Sequence, residues 1–353
     1  MTLYAAPDFD QHEQVLFCYD PELEIKAIIA IHNTHLGPAL GGCRLWPYGT
    51  EQEAVYDVLR LSQGMTYKAA VADLKLGGGK MVVIGDSRQP KPRAFFNKIG
   101  EFVESLKGSY ITAEDVGVSV ENVTAIREKT QHVVGVPDGF GDPSPFTAYG
   151  IYQGMLASVA HQLGRPDLDG LKIIVQGLGS VGYNLSKHLH KAGAKLYVYD
   201  IHQPFLDRAI DEFNATAITD REVFTKEADV YAPCALGATL NSETIPALNV
   251  KVVCGGANNQ LQDATHGRQL RQRGILYAPD YVVNQGGLVC VWYETHKKPE
   301  HLIYQHIDAL KDTLTEVFAL SEEEHLSTAE AANRIAEKRF KPKKRPFHQT
   351  IGL

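Results

Sequence analysis

Three polar side chains in the first third of the chain invite a chemical reading: Lys68, Lys80 and Asp115. Lys68 closes the segment GMTYK and is expected to follow a helix. Lys80 follows three glycines and is expected at a turn that precedes a strand. Asp115 lies in ITAEDVG, at the end of a short strand. Singly, each is ordinary: a surface lysine, a turn lysine, a helix-capping aspartate. As a set they suit oxidation of an amino acid. A substrate carboxylate needs a fixed cation, and deamination needs a base that is neutral at working pH. A lysine beside a second cation in a closed cleft has its pKa pushed down. An aspartate near the reacting nitrogen can pass protons among amine, iminium and ammonia. Glycines before Lys80 would let a substrate come close.

A second constellation is IIVQGLGSVG over residues 173–182. Its GxGxxG spacing follows an apolar strand and opens an amphipathic helix. Gly177 permits the tight turn, Gly179 lets the backbone approach a pyrophosphate, and Gly182 lets helix pack on strand. Leu178, Ser180 and Val181 complete the loop, whose helix N-terminus faces negative phosphates. Asp200 ends the next strand about 20 residues on, where an acid binds the ribose hydroxyls of a dinucleotide. Its carboxylate would repel a 2′-phosphate, which favours NAD over NADP, although Arg208 nearby could blunt that preference.

These groups need a scaffold, and the chain has the material for one. It contains 353 residues, 44% hydrophobic and 22% charged, which excludes a disordered chain. A net charge of −7 argues against a generally basic nucleic-acid-coating protein. Apolar runs are strand-sized, too short to span a bilayer, and residues 1–10 lack the pattern of a secretory signal. Cys18, Cys43, Cys234, Cys254 and Cys290 are scattered, with no CxxC pair, as expected of reduced thiols in a cytoplasmic protein. Fourteen histidines include no HExxH, and His188 and His190 are too close in sequence to share a helix face, so no metal site is expected.

The spacing predicts strands over 24–32, 81–84 and 110–113, and helices over 51–67, capped by Thr50, and 93–106. A Gly/Pro/Asp-rich loop at 135–145 marks a boundary. A helix over 147–163 follows, then strands over 172–176, 195–199, 230–232, 250–254 and 275–277 alternating with glycine turns and helices. That is the grammar of a parallel α/β sheet. Helices are expected at 299–318 and 327–338, before a basic tail over 338–346. The fold class is therefore α/β in two domains, the second a Rossmann-type dinucleotide-binding domain. The expected division is residues 1–140, with 330–353 returning to them, against 141–329.

The motifs GPALGG at 37–42 with Arg44, RLSQGMTYKAA at 60–70, LGGGK at 76–80 and ITAEDVG at 111–117 resemble the glutamate/leucine/phenylalanine/valine dehydrogenase family. So do VQGLGSVGYNL at 175–185, YAPCALGAT at 231–239, GGANNQL at 255–261 and YAPDYVVNQGG at 277–287. The resemblance is nearest to the leucine-specific branch. By that resemblance the first domain is an N-terminal α/β substrate and oligomerisation domain, separated from the second by a cleft. It implies that Lys80 activates water, that Asp115 exchanges protons with the amino group, and that Lys68, the Gly41–Gly42 backbone and Asn258 hold the substrate carboxylate. It implies that Thr147 and Asn284 position a nicotinamide with Arg44 near the cofactor. Ala235, Leu236, Gly237 and Gly256, Ala257, Asn258 should line the cofactor cleft. Glutamate-specific members carry a lysine where this chain has Leu40, so the side-chain pocket is expected to be apolar: Leu40, Met65, Ala113, Leu288 and Val291. Cys290 and Trp292 depart from the leucine pattern and leave aliphatic against aromatic substrates open. The implied activity is reversible NAD-dependent oxidative deamination by a homo-oligomer that binds a small molecule, with no nucleic-acid or membrane partner. A non-catalytic NAD-binding scaffold is the alternative from another class.

Overall fold

The computed structural model describes residues 3–6, 8–135 and 140–341. Parts of the predicted 135–145 loop, of the basic tail and of the returning segment 330–353 lie outside them. Two six-stranded sheets organise the chain. The first contains β1 (Gln14–Asp20), β2 (Ile25–Asn33), β3 (Ala39–Leu40), β4 (Cys43–Trp46), β5 (Gly77–Ile84) and β6 (Tyr110–Ile111), in the order β1-β2-β5-β3-β6 with β4 also on β5. β1, β2 and β5 are antiparallel neighbours, while β3 and β4 run parallel to β5. The second contains β7 (Lys172–Gln176), β8 (Lys195–Tyr199), β9 (Thr216–Ala217), β10 (Val230–Pro233), β11 (Val252–Val253) and β12 (Leu276–Tyr277). All of its pairings are parallel, in the order β12-β11-β10-β7-β8-β9. Its order reverses between β7 and β10, the crevice where such sheets bind ligands, and the glycine loop follows β7 directly.

Four local expectations change. Helix Glu51–Val71 runs a turn beyond the predicted 51–67, so Lys68 lies within it rather than after it. Thr50 caps its start by accepting from the Glu53 amide, and buried Ala69, Ala70 and Val71 carry its apolar face onward with no breaker. Residues 77–80 are not a turn: Gly77, Gly78, Gly79 and Lys80 begin β5. The predicted 299–318 helix is two, His301–Asp308 and Leu310–Glu323, and helix Val120–Arg127 was not foreseen although Ser119 and Asn122 form its capping box.

The glycines before Lys80 serve packing rather than substrate approach. A Cβ on Gly78 would lie 2.1 Å from the Thr66 amide, and one on Gly79 would lie 2.7 Å from the Tyr110 ring. The bare Gly78 lets helix Glu51–Val71 lie directly on β5, which fixes Lys68 relative to Lys80. At its far end that helix meets helix Thr328–Phe340: Tyr67 donates to Glu337 at 2.9 Å, and the Phe340 ring packs 5.2 Å from that of Tyr67.

Beneath the same helix lies a buried polar pocket. His32 is 3% exposed, pairs with Thr66 Oγ1 at 2.8 Å, and has the His12 ring 4.8 Å away. Burial, then neighbouring His12, draws its pKa down to about 4, against the opposing pull of Asp10. The unfolded chain therefore binds a proton here that the folded chain refuses. Stability should be intact above about pH 6.5 and fall toward pH 4, by up to ~3 kcal/mol from this group. Thermal melts from pH 7 to 4.5 test this. An unchanged Tm would contradict it.

Candidate active site

Lys80 stands in the middle of β5, 5% exposed, with β2 on one edge and the β3–β4 segment on the other. Between β3 and β4 the chain passes as Gly41–Gly42, and there is no room for more. A Cβ on Gly41 would fall 1.7 Å from the Gly79 carbonyl oxygen, and one on Gly42 would fall 2.8 Å from Asp115 Cβ. The segment after β6 continues alongside, with Cys43 donating its amide to Ala113 O at 2.8 Å. Gly117, at φ +80°, then turns the chain where a Cβ would meet Leu45 O. Asp115 is thereby held against Lys80, Nζ to Oδ2 at 3.1 Å.

Arg44 reaches the same oxygen from β4, Nε to Oδ2 at 2.8 Å. Burial acts to raise the Asp115 carboxyl, but Lys80 and Arg44 outweigh it and hold it below the usual range. Burial lowers Lys80, and Arg44 adds to this against the opposing Asp115 charge. Half-buried Lys68, one face of its helix away, is drawn down to about 8 by burial and by Lys80, with Asp280 opposing. Two lysines of lowered basicity thus share one cleft with an ionised aspartate.

That cleft has a volume of about 780 Å³, and Lys68, Lys80 and Asp115 also line an adjoining 390 Å³ cavity. The five residues expected to form an apolar pocket, Leu40, Met65, Ala113, Leu288 and Val291, all line the larger cleft and belong to one hydrophobic cluster. They come from β3, helix Glu51–Val71, the segment after β6, and helix Gly286–Thr295. On the last, Gly287, Cys290, Val291 and Glu294 recur at helical spacing and present one face to the cleft. Trp292 is turned away and stacks on His296, ring centroids 4.2 Å apart. Sequence reasoning missed the carboxylates here: Glu114, Asp142 and Glu294 also line the cleft. Glu294 accepts the Phe140 amide at 3.1 Å. In sequence these acids read as solvated loop and helix residues, and only the tertiary fold gathers them. Asp280 and Asp57 were missed for the same reason.

The opposite wall belongs to the second sheet. Thr147, Val181, Gly256, Asn258 and Asn284 line the cleft. Asn284 donates to Asn258 Oδ1 at 2.8 Å, while its own Oδ1 is buried with no hydrogen-bond partner among the described residues. Gly177, at φ +94°, makes the turn, and a Cβ on Gly182 would lie 1.9 Å from Gly177 O. Open space surrounds Gly179 at the start of helix Ser180–Lys191. Leu178, Gly179 and Ser180 line a separate 320 Å³ cavity with Phe205 and Arg208. Asp200 braces the turn, accepting the Leu178 amide at 2.7 Å and the His202 amide at 2.8 Å. Ala235 abuts Gly177, Gly237 abuts Asn258, and buried Ala257 donates its amide to Pro233 O. Leu236 is 79% exposed and does not join the cleft lining. Arg44 lies with the lysines in the first half of the chain, and Arg208 is held by Glu212 and stacked over Tyr183.

Residues 12–132 match the family model of the Glu/Leu/Phe/Val dehydrogenase dimerisation domain, and residues 198–341 match that of Glutamate/Leucine/Phenylalanine/Valine dehydrogenase. The chain is 48% identical to leucine dehydrogenase of Bacillus cereus over 332 residues, covering 93% of this chain and 91% of that one. It is 45% identical to phenylalanine dehydrogenase of Caldalkalibacillus thermarum over 353 residues, covering 98% and 95%. The crystal structure of L-tryptophan dehydrogenase from Nostoc punctiforme superposes with a TM-score of 0.85 at 42% identity, covering 94% and 96%. With both halves matched and the similarity extending over nearly its whole length, the chain belongs to the glutamate/leucine/phenylalanine/valine dehydrogenase family of amino-acid dehydrogenases.

Proposed function

We propose that the protein catalyses the reversible, NAD-dependent oxidative deamination of an apolar L-amino acid, with L-leucine and its branched neighbours preferred, to the 2-oxo acid and ammonia. One observation carries this reading: the Lys80–Asp115 pair and Lys68 face a cleft whose side-chain end is apolar. A second reading, phenylalanine or tryptophan as substrate, is favoured by Cys290 in the cleft lining and by the similarity to both aromatic-specific enzymes.

The residues present fit a nicotinamide dinucleotide. The unpartnered Asn284 oxygen would accept from a carboxamide, Thr147 lines the same cleft, and the open ground at Gly179 would admit a pyrophosphate. When bound, the oxidised nicotinamide supplies the two-electron acceptor for the substrate Cα–H. The chain does the rest. Lys68, with the Gly41–Gly42 backbone and Asn258, holds the substrate carboxylate, and the anion restores its full charge. Asp115 takes a proton from the amino group. Neutral Lys80 removes a proton from water as its oxygen bonds to the imine carbon. Asp115 returns that proton to nitrogen and, again a carboxylate, takes the hydroxyl proton of the carbinolamine as the C–N bond breaks, so ammonia leaves and the carbonyl forms.

Lys68→Met should raise KM for the amino acid by about 10²-fold with little change in NAD affinity, since a charged hydrogen-bond partner is lost only to substrate. An unchanged KM would remove the carboxylate role. Asp200 should make NAD the better cofactor, and Asp200→Ser should narrow the NAD:NADP ratio of kcat/KM. A wild-type preference for NADP would refute that part. A second copy of this chain is part of the proposal, supported by the dimerisation-domain match and by Phe17 and Tyr19 exposed on edge strand β1.

A further inference from the structure

Behind Asp115 the hydrogen bonding does not stop at Arg44. The guanidinium divides between two carboxylates: Nε donates to Asp115 Oδ2 at 2.8 Å and Nη1 donates to Asp57 Oδ2 at 2.9 Å. Asp57, on helix Glu51–Val71, also accepts from the Tyr48 hydroxyl at 2.6 Å and lies 3.7 Å from Arg60. All of Tyr48, Asp57, Arg44 and Asp115 are at least half-buried. Lys80 and Arg44 converge on Oδ2 of Asp115, which leaves Oδ1 for an incoming amine. A planar fork can bridge two carboxylates at fixed angles, whereas an ammonium cannot.

We propose that Asp57 and Arg44 are positioning residues for the reacting pair: Asp57, gripped by Tyr48, aims Arg44 at Asp115 and balances the charge around Lys80. The proposal rests on Lys80 being the base. The charged and titratable groups that face Lys80 are Asp115, Arg44, Asp57, Lys68 and the Cys43 thiol, and Asp115 is also faced by Cys43, Tyr48 and Tyr110. Within that set Asp57 and Arg44 act on Lys80 with opposite sign. The Asp57 charge favours protonated Lys80, and the Arg44 charge disfavours it.

The test is the pH dependence of kcat/KM for L-leucine in the wild type, Asp57→Asn, Arg44→Met and Arg44→Lys. The acid limb, where Lys80 loses its proton, should move to lower pH in Asp57→Asn and to higher pH in Arg44→Met. Each shift should be about half a unit or more for a charge at this range. Arg44→Lys keeps the charge but not the fork, so its limb should stay near the wild-type position while kcat falls about 10-fold or more. Asp57→Glu, which restores the charge, should return the limb. A merely structural role would lower kcat without moving the limb, so limbs that stay put, or that both move one way, overturn the proposal. Lys80→Ala separates the two layers. If it is inactive while the limbs stay put, only the positioning role fails; if it retains wild-type turnover, the assignment of the base fails.

Discussion

Lys80→Ala should lose about 10³-fold or more in kcat, with NAD affinity unchanged. The residue sits at the centre of a strand in the first sheet, 5% exposed, while Leu178, Gly179 and Ser180, which would hold the dinucleotide, lie in the loop and helix that follow β7 of the second. Its amine is drawn below the ordinary lysine range by burial and by Arg44, against the opposing Asp115 charge, and that direction favours the neutral form a base needs. The rate should rise with pH as this amine deprotonates and then level off. Loss of the side chain still leaves Asp115 its ion pair with Arg44. Substantial deamination by Lys80→Ala without added amine would sink the role.

The second large effect is selection against an acidic side chain. L-Glutamate should be at least ~10³-fold poorer than L-leucine in kcat/KM, because its γ-carboxylate would enter the pocket of Leu40, Met65 and Val291. The described lining offers no cation beyond Lys68 and Lys80, both taken up at the α-carbon end, to repay its desolvation. Glu114, Asp142 and Glu294 in the same cleft add repulsion. Leu40→Lys supplies an opposite charge without the remaining hydrogen bonds, so glutamate should recover only in part. Leucine efficiency should fall more surely, since an ammonium would then face methyl groups. A glutamate value at or above that of leucine would show that Leu40 does not face the substrate.

Much of this was legible in the sequence where a residue's role is local. The strands at 172–176 and 195–199 stand out as continuous apolar runs between glycine turns, and they occur with those bounds. The glycine fingerprint could be placed because its three glycines answer to one short turn. Lys68 and Lys80, which the fold brings to one cleft, were set on the wrong local structure. Three glycines in a row read as a turn, yet here neighbours press on them from Thr66 and Tyr110 and hold them extended in β5. Such a reason belongs to tertiary packing and leaves no local trace. Asp57 shows the same limit from the other side. On a helix of 21 residues it looks like one more solvated charge until β4 brings Arg44 against it.

The most direct test of the central claim is to give the purified protein L-leucine and NAD, and to follow reduced nicotinamide by absorbance together with released ammonia. The expected result is one equivalent of ammonia per reduced nicotinamide, a stronger rate with NAD than with NADP, and reversal on adding the 2-oxo acid and ammonium. No nicotinamide reduction with leucine, phenylalanine or tryptophan, by a folded protein that binds NAD, would contradict it.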